Sequence, residues 1–190
     1  MKILVAGGAG YIGSHTAKEL IKEGFEVVVF DNFSTGKKEL LVGGELFEGD
    51  LMHKESIKKA LGSKNIEAVL HFASLIQVGE SYADPRKYYT HNLITSLNLL
   101  DVMLEAGVKY FVFSSSAAVY GEPVQNPIPE SHPLNPFNPY GQTKFFVEKV
   151  IQDYERAYGL RFISLRYFNA AGADPEGDLG ELHDPETHLI

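Results

Sequence analysis

The chain has no cysteine and no tryptophan among its 190 residues. Without a thiol there is no disulfide framework, no thiolate nucleophile and no cysteine-ligated zinc. Its seven histidines never fall in the His-Glu-x-x-His pattern that sets two ring nitrogens on one helix face, so no metal site is expected. No apolar run approaches the roughly 18 residues that a membrane-spanning helix needs. The opening stretch Met1-Lys2-Ile3-Leu4-Val5-Ala6 breaks at once into glycines, too short for a signal peptide, and reads as the start of a cytoplasmic protein without a membrane partner. Positive charge is scarce too. With 17 Lys and Arg against 25 Asp and Glu, the formal net charge is -8, and repulsion of that sign argues against nucleic acid or anionic lipid as a partner. An anionic ligand must therefore be caught by local backbone donors.

What is present is an ordinary globular balance, 44% hydrophobic against 22% charged, on a length suited to one domain with a sizeable core. A short apolar run at 2–6 leads into Gly7-Gly8-Ala9-Gly10-Tyr11-Ile12-Gly13 and a helix expected from Tyr11 to Glu23, closed by Gly24. Between a buried strand and a helix, bare backbone at Gly7, Gly10 and Gly13 lets a pyrophosphate approach and rest on free N–H groups at the helix N-terminus. The next strand, 26–30, ends in Asp31-Asn32, about twenty residues beyond the glycines, as a ribose-binding acid should. Asp31 can accept hydrogen bonds from adenosine ribose hydroxyls and would repel a 2′-phosphate, which favours NAD over NADP.

Further apolar runs at 46–51, 68–73, 109–113 and 160–166 read as strands, with helical segments at 52–61, 84–105 and 138–158. That alternation predicts parallel crossovers and an α/β fold, a doubly wound parallel sheet of Rossmann type. On the helix opened by Asp84-Pro85, the residues Tyr89, Leu93, Leu97, Leu100 and Leu104 recur at helical spacing and are expected to face the core. Asn92 sits beside that stripe, either bonding backbone or facing a ligand. His71, alone at a strand end, is expected to be structural. After the fifth strand, Ser114-Ser115-Ser116 stands where open parallel sheets bind ligands. It lacks a Gly-x-Ser-x-Gly elbow, so it reads as a plain polar turn or as a donor to a substrate oxygen, not as a hydrolase nucleophile. A proline-rich loop then reaches Asn138-Pro139, the expected cap of a helix with Tyr140 and Lys144 in its first turns and a buried stripe of Val147, Val150, Ile151, Tyr154 and Tyr158. Phenol and ammonium four residues apart share one helix face. The cation and the helix dipole should both favour the phenolate, which makes the pair a candidate proton-transfer device.

The runs Gly7 to His15, Asp31-Asn32, Gly49-Asp50-Leu51, His71-Phe72-Ala73, Phe113 to Ala117, Tyr140-Gly141-Gln142-Thr143-Lys144 and Leu165-Arg166-Tyr167-Phe168-Asn169 together resemble the extended short-chain dehydrogenase/reductase family, and within it the nucleotide-sugar epimerases. The resemblance extends over the whole chain. It implies NAD as cofactor and a UDP-sugar as substrate, with UDP-glucose and UDP-galactose interconverted by transient oxidation at C4. In cofactor binding it implies Tyr11 and Ile12 against the pyrophosphate, Asp31 and Asn32 on the ribose, and Asp50 and Leu51 at the adenine. Phe72, Ala73, Ser74 and Asn92 line the cofactor, with Tyr140, Lys144 and Phe168 near the nicotinamide. Ser116 and Tyr140 face the sugar's 4-hydroxyl, and Asn169 reaches the UDP-sugar. A homodimer through helices 84–105 and 138–158 is a further expectation.

Two positions depart from the family pattern. Ile76 stands where a lysine is frequent, and His91-Asn92 where Asn-Asn is frequent. With Ser115-Ser116-Ala117 after strand five and no carboxylate there, an epimerase is favoured over a dehydratase; an epimerase of the UDP-glucuronate type remains a possible reading. Residues 1–170 are expected to form the NAD-binding domain, and 171–190 the start of a substrate-binding portion that this chain largely lacks. A fragment that binds NAD without turnover is therefore the alternative.

Overall fold

A computed structural model of the chain describes residues 1–62 and 65–183. Six strands form one sheet: β1 (Lys2–Ala6), β2 (Glu26–Asp31), β3 (Glu45–Glu48), β4 (Ala68–His71), β5 (Tyr110–Ser116) and β6 (Arg161–Tyr167). Their order is β3-β2-β1-β4-β5-β6 and each neighbouring pair is parallel. The expected doubly wound sheet is thus observed. The chain first builds outward from β1 through β2 to β3, then returns to the other side of β1 with β4. That reversal opens a crevice beyond the carboxyl ends of the strands.

Six helices connect the strands among the described residues: α1 (Tyr11–Lys22), α2 (Lys54–Gly62), α3 (Val78–Ala83), α4 (Pro85–Tyr88), α5 (Ile94–Glu105) and α6 (Pro139–Tyr158). Strand alternation divides the core between the two faces of the sheet. Leu4, Ala6, Val28 and Phe30 point to one side and pack with Ile57 and Leu61 of α2, Leu99, Leu100 and Met103 of α5, and Val147 and Ile151 of α6. Ile3, Val5, Val27 and Val29 point to the other side and meet Ala17 of α1. On that second side the register Val5, Leu70, Val112, Ile163 leads to the sheet edge, where Ile163 is exposed.

The helix expected from residue 84 is not continuous. Asp84 does cap it, accepting from the Lys87 N–H at 3.0 Å, but a π-turn at Tyr89–Leu93 separates α4 from α5. A wide turn inserts one residue into the helical repeat and rotates everything after it. The core side of α5 is consequently Leu99, Leu100, Val102 and Met103, while Leu97 and Leu104, expected inside, are exposed. The α6 stripe holds through Val147 and Ile151, with Val150 and Tyr154 partly buried, and then runs out at exposed Tyr158. Its expected ends are observed: Asn138 accepts from the Gly141 N–H at 2.7 Å, and Gly159 stops the helix at φ 71°. The fifth strand extends through Ser116, so the serines belong to the sheet and not to a turn.

Residues 171–183, the described part of the expected second portion, contain no helix or strand. Lys18 on α1 reaches Asp174, Glu176 and Asp178 at 2.7, 2.8 and 3.0 Å, and the Tyr11 hydroxyl donates to the Gly172 carbonyl. Residues 184–190 lie outside the described residues.

Burial sets the expected contrast on α5. Leu100→Ala should cost about 2–5 kcal/mol in urea unfolding, whereas Leu97→Ala should stay within about 0.5 kcal/mol of the parent as a monomer.

Candidate active site

The crevice is a cleft of about 360 Å³. Its floor is the glycine turn, where backbone meets backbone. Gly7 has φ +79°, and a Cβ there would lie 2.5 Å from the Ala73 nitrogen; a Cβ on Gly13 would lie 2.1 Å from the Gly7 carbonyl oxygen. Neither position can carry a side chain. Gly10 precedes α1, and no side chain caps that helix, so its first-turn N–H groups and the positive end of its dipole face the cleft lined by Gly10, Tyr11, Ile12 and Gly13. This is the cradle that a pyrophosphate requires.

Asp31 closes the turn from the β2 side. Its Oδ2 accepts from the Ala9 N–H and its Oδ1 from the Phe33 N–H, both at 2.9 Å, so the carboxylate first orders the two loops around it. Each oxygen retains a lone pair for a ligand hydroxyl. Asn32 donates to Asp50 at 3.1 Å, and Asp50 also accepts from the Met52 N–H at 2.8 Å. That pairing joins two segments that the sequence separates by 18 residues. Asp50, Leu51, Phe72, Ala73 and Ser74 line the same cleft, as do Phe168 and Asn169 at its outer wall.

At the far end, α6 brings Tyr140 and Lys144 against the end of β5. Lys144 Nζ donates to the Ser114 carbonyl at 2.8 Å and lies 5.1 Å from the Phe113 ring centre and 5.8 Å from that of Tyr140. Complete burial, with no carboxylate partner among the described residues, brings its pKa down from 10.5 to about 7. Burial also raises the Tyr140 pKa, and a hydrogen bond with Ser116 works in the opposite direction. The expected phenolate-favouring effect of Lys144 is therefore not expressed here: the ammonium is engaged by a carbonyl, and desolvation of the phenol dominates. The proximity itself is as expected, and Ser116 joins the pair.

Of the two readings given for Asn92, bonding to backbone is the one seen here. Asn92 is buried, and its side chain is committed to protein. Its amide accepts from the Leu75 N–H at 2.9 Å and donates to the Leu75 carbonyl at 3.0 Å and to Thr143 at 3.2 Å. It fastens the loop after β4 to α6. Its neighbours His91 and Thr95 line the cleft instead. The π-turn decides which of two adjacent residues faces the crevice, and ideal helical spacing gives no sign of it. Ile76 lines the cleft as well. His71 is buried, bonded through Nε2 to Ser96 at 3.0 Å, and pushed down to about pKa 3 by burial and by the Lys144 and His91 charges, so it is a neutral structural group as expected.

The geometry has counterparts. The NAD dependent epimerase/dehydratase family model matches residues 3–184. The chain belongs to that family. Among curated relatives, UDP-glucose 4-epimerase of Rhizobium leguminosarum bv. trifolii is 50% identical over 99% of this chain and 58% of its own length. The crystal structure of UDP-glucose 4-epimerase from Brucella ovis in complex with NAD superposes at a TM-score of 0.97 with 48% identity, covering 99% of this chain and 58% of that one. The Bifidobacterium longum enzyme in complex with NAD+ and UDP gives a TM-score of 0.92 at 39% identity, covering 95% of this chain and 57% of that one. The chain thus spans a little under three fifths of the length of these relatives. No helix among the described residues is long and apolar enough to cross a membrane.

For this member of the epimerase/dehydratase family, two consequences follow. Gly13→Ala should unfold the glycine turn's packing and abolish dinucleotide binding by calorimetry. For Lys144, the unfolded chain binds more protons than the folded one between pH 7 and 10.5, so its charging penalty is complete below about pH 7 and relieved as pH rises. Lys144→Met should therefore be more stable than the parent at pH 7, with the gap closing towards pH 10 in thermal unfolding.

Proposed function

We propose that this chain carries the NAD site and the C4 oxidation–reduction site of a UDP-glucose 4-epimerase. The observation that carries the proposal is the convergence of Tyr140, Ser116 and Lys144 at one end of the cleft whose other end is the bare glycine turn with Asp31. The first-turn N–H groups of α1 would hold the pyrophosphate, Asp31 and Asn32 the adenosine ribose, and Asp50 and Leu51 the adenine border. Phe72, Ala73 and Ser74 would lie along the dinucleotide, and Phe168 beside the nicotinamide. When bound, NAD supplies a hydride acceptor that takes the hydrogen from the sugar's C4 and returns it.

The chain's own residues manage the proton. In its phenolate form Tyr140 accepts it from the 4-hydroxyl and, as the phenol so formed, gives it back after the sugar has turned over. Ser116, hydrogen-bonded to Tyr140, holds the sugar oxygen within reach. Lys144, its pKa lowered to about 7, exchanges between charged and neutral forms beside the phenol near neutral pH and would bond the nicotinamide ribose. Asn169 contacts the UDP-sugar. Burial excludes water from Tyr140, which keeps the proton between sugar and phenol.

A second reading, dinucleotide capture without sugar turnover, has one observation in its favour. Phe168 is 65% exposed and Asn169 is also exposed, so the outer wall on the sugar side is open while the cofactor side is deep. Residues from 171 onward would begin the sugar-binding portion in either reading. We place a homodimer contact on the exposed Ile94 and Leu97 of α5 and Phe146 of α6.

Denaturing the purified chain should release NAD or NADH into the supernatant, detected by an enzymatic cycling assay. UDP-galactose conversion is followed separately, and Tyr140→Phe should lower it by about 100-fold or more while dinucleotide binding stays within a few-fold. Turnover by the parent chain removes the second reading, and absence of dinucleotide binding removes both.

A further inference from the structure

Beneath the serine strand lies an ion pair to which the reading above gives no part. Arg166, near the end of β6, donates through Nε to one oxygen of Glu148 at 3.0 Å and through a terminal nitrogen to the other at 2.8 Å. The Glu148 side chain is 3% exposed. Its Oε1 also accepts from the Ser115 hydroxyl at 2.5 Å. The same guanidinium bonds the Tyr120 hydroxyl at 3.1 Å and stacks over that ring. A buried pair of this kind adds little to stability, because desolvation offsets most of the attraction, so its place in the fold calls for another explanation.

Its place on α6 supplies one. Glu148 follows Lys144 by four residues, the spacing at which oppositely charged side chains on a helix meet. Both are buried against β5, yet Lys144 bonds the Ser114 carbonyl while Glu148 bonds Ser115 and Arg166. Glu148 is the natural ion-pair partner for the unpaired ammonium, and Arg166 occupies both of its oxygens. We propose that Arg166 is a positioning residue: by holding the Glu148 carboxylate on β6, it leaves the Lys144 ammonium on the Ser114 carbonyl beside Tyr140. The inference rests on the proton-transfer role given to Tyr140 and Lys144, but its test does not need turnover. The other groups around Lys144 are the Tyr140 phenol on its own helix, neutral His71 on β4, the Phe113 ring on β5, and, beyond Tyr140, the Tyr88 hydroxyl on α4 bonded to Glu80. None of them is a carboxylate able to replace Glu148.

The test is the titration of Lys144 in the whole chain, read by NMR on protein carrying 13C-labelled lysine, with the signal assigned by its loss in Lys144→Met. Arg166→Gln frees the carboxylate, and the midpoint should rise by about one unit or more as it pairs with Lys144. Glu148→Gln leaves the guanidinium uncompensated, and the midpoint should fall. The double variant Glu148→Gln/Arg166→Gln should return close to the parent. A role confined to holding the fold together predicts instead that every variant loosens the site and shifts the midpoint upward. Opposite signs in the two single variants support the proposal. Shifts of the same sign, or a midpoint unmoved in both, overturn it. If Arg166→Gln does not fold, the downward shift in Glu148→Gln and the recovery in the double variant decide the matter, and failure of either overturns the proposal.

Discussion

Everything in this molecule depends on the close backbone contact made where β1 turns into α1. At Gly7 and Gly13 the chain passes so near to itself and to Ala73 at the exit of β4 that a single methyl group would collide with main-chain atoms. This contact lets β1 and β4 lie side by side while their following segments diverge to opposite faces of the sheet, which creates the cleft. It also brings the uncapped N-terminus of α1 to the cleft floor. Shape and electrostatics thus have one origin: a helix end that must be bare to be packed is also bare to receive an anion. A chain of net charge -8 needs such a device, because its overall field repels the ligand that the turn attracts.

The opposite end of the cleft is built on polar groups held in surroundings that disfavour their charges. Lys144 is buried without a carboxylate among the described residues, His71 is neutral near it, and Tyr140 is desolvated. Each would be easier to accommodate as an apolar residue. The shared location of Lys144 and Tyr140 is the argument for chemistry, since perturbed ionisable groups gathered at one end of a cleft are what proton transfer near neutrality requires. The fork between Arg166 and Glu148 lies one helical turn away, separate from the cleft yet adjacent to the group that most needs to remain unpaired.

The relatives in the epimerase/dehydratase family extend well beyond the span this chain shares with them. Within that span the cleft is deep at the glycine turn and open at the exposed Phe168 and Asn169. The asymmetry is visible in the sheet as well, where α1 covers the β1–β2 region and Ile163 and Leu165 of β6 stand exposed. The glycine turn is local to the strand–helix units that make it, whereas the outer wall at Phe168 and Asn169 follows the last strand and stands exposed.

The sequence alone determined the features that arise from local chemistry. Strand–helix alternation indicated the doubly wound sheet, the glycine spacing located the turn, and Asn138-Pro139 and Gly159 marked the ends of α6, because each rests on backbone constraints within a few residues. Tyr140 and Lys144 were placed side by side by helical periodicity for the same reason. Only the tertiary structure decided matters that depend on what packs against what. It gave the Leu75 loop to Asn92 and the cleft to His91, since a π-turn rotates the helix by an amount no residue pattern reveals. It turned Leu97 and Leu104 outward. It carried the serines into the sheet, where Ser114, Ser115 and Ser116 serve three different partners. And it reversed the expected shift of the tyrosine, because the field at a buried phenol depends on desolvation and on where the ammonium is tied, and neither can be read from a spacing of four.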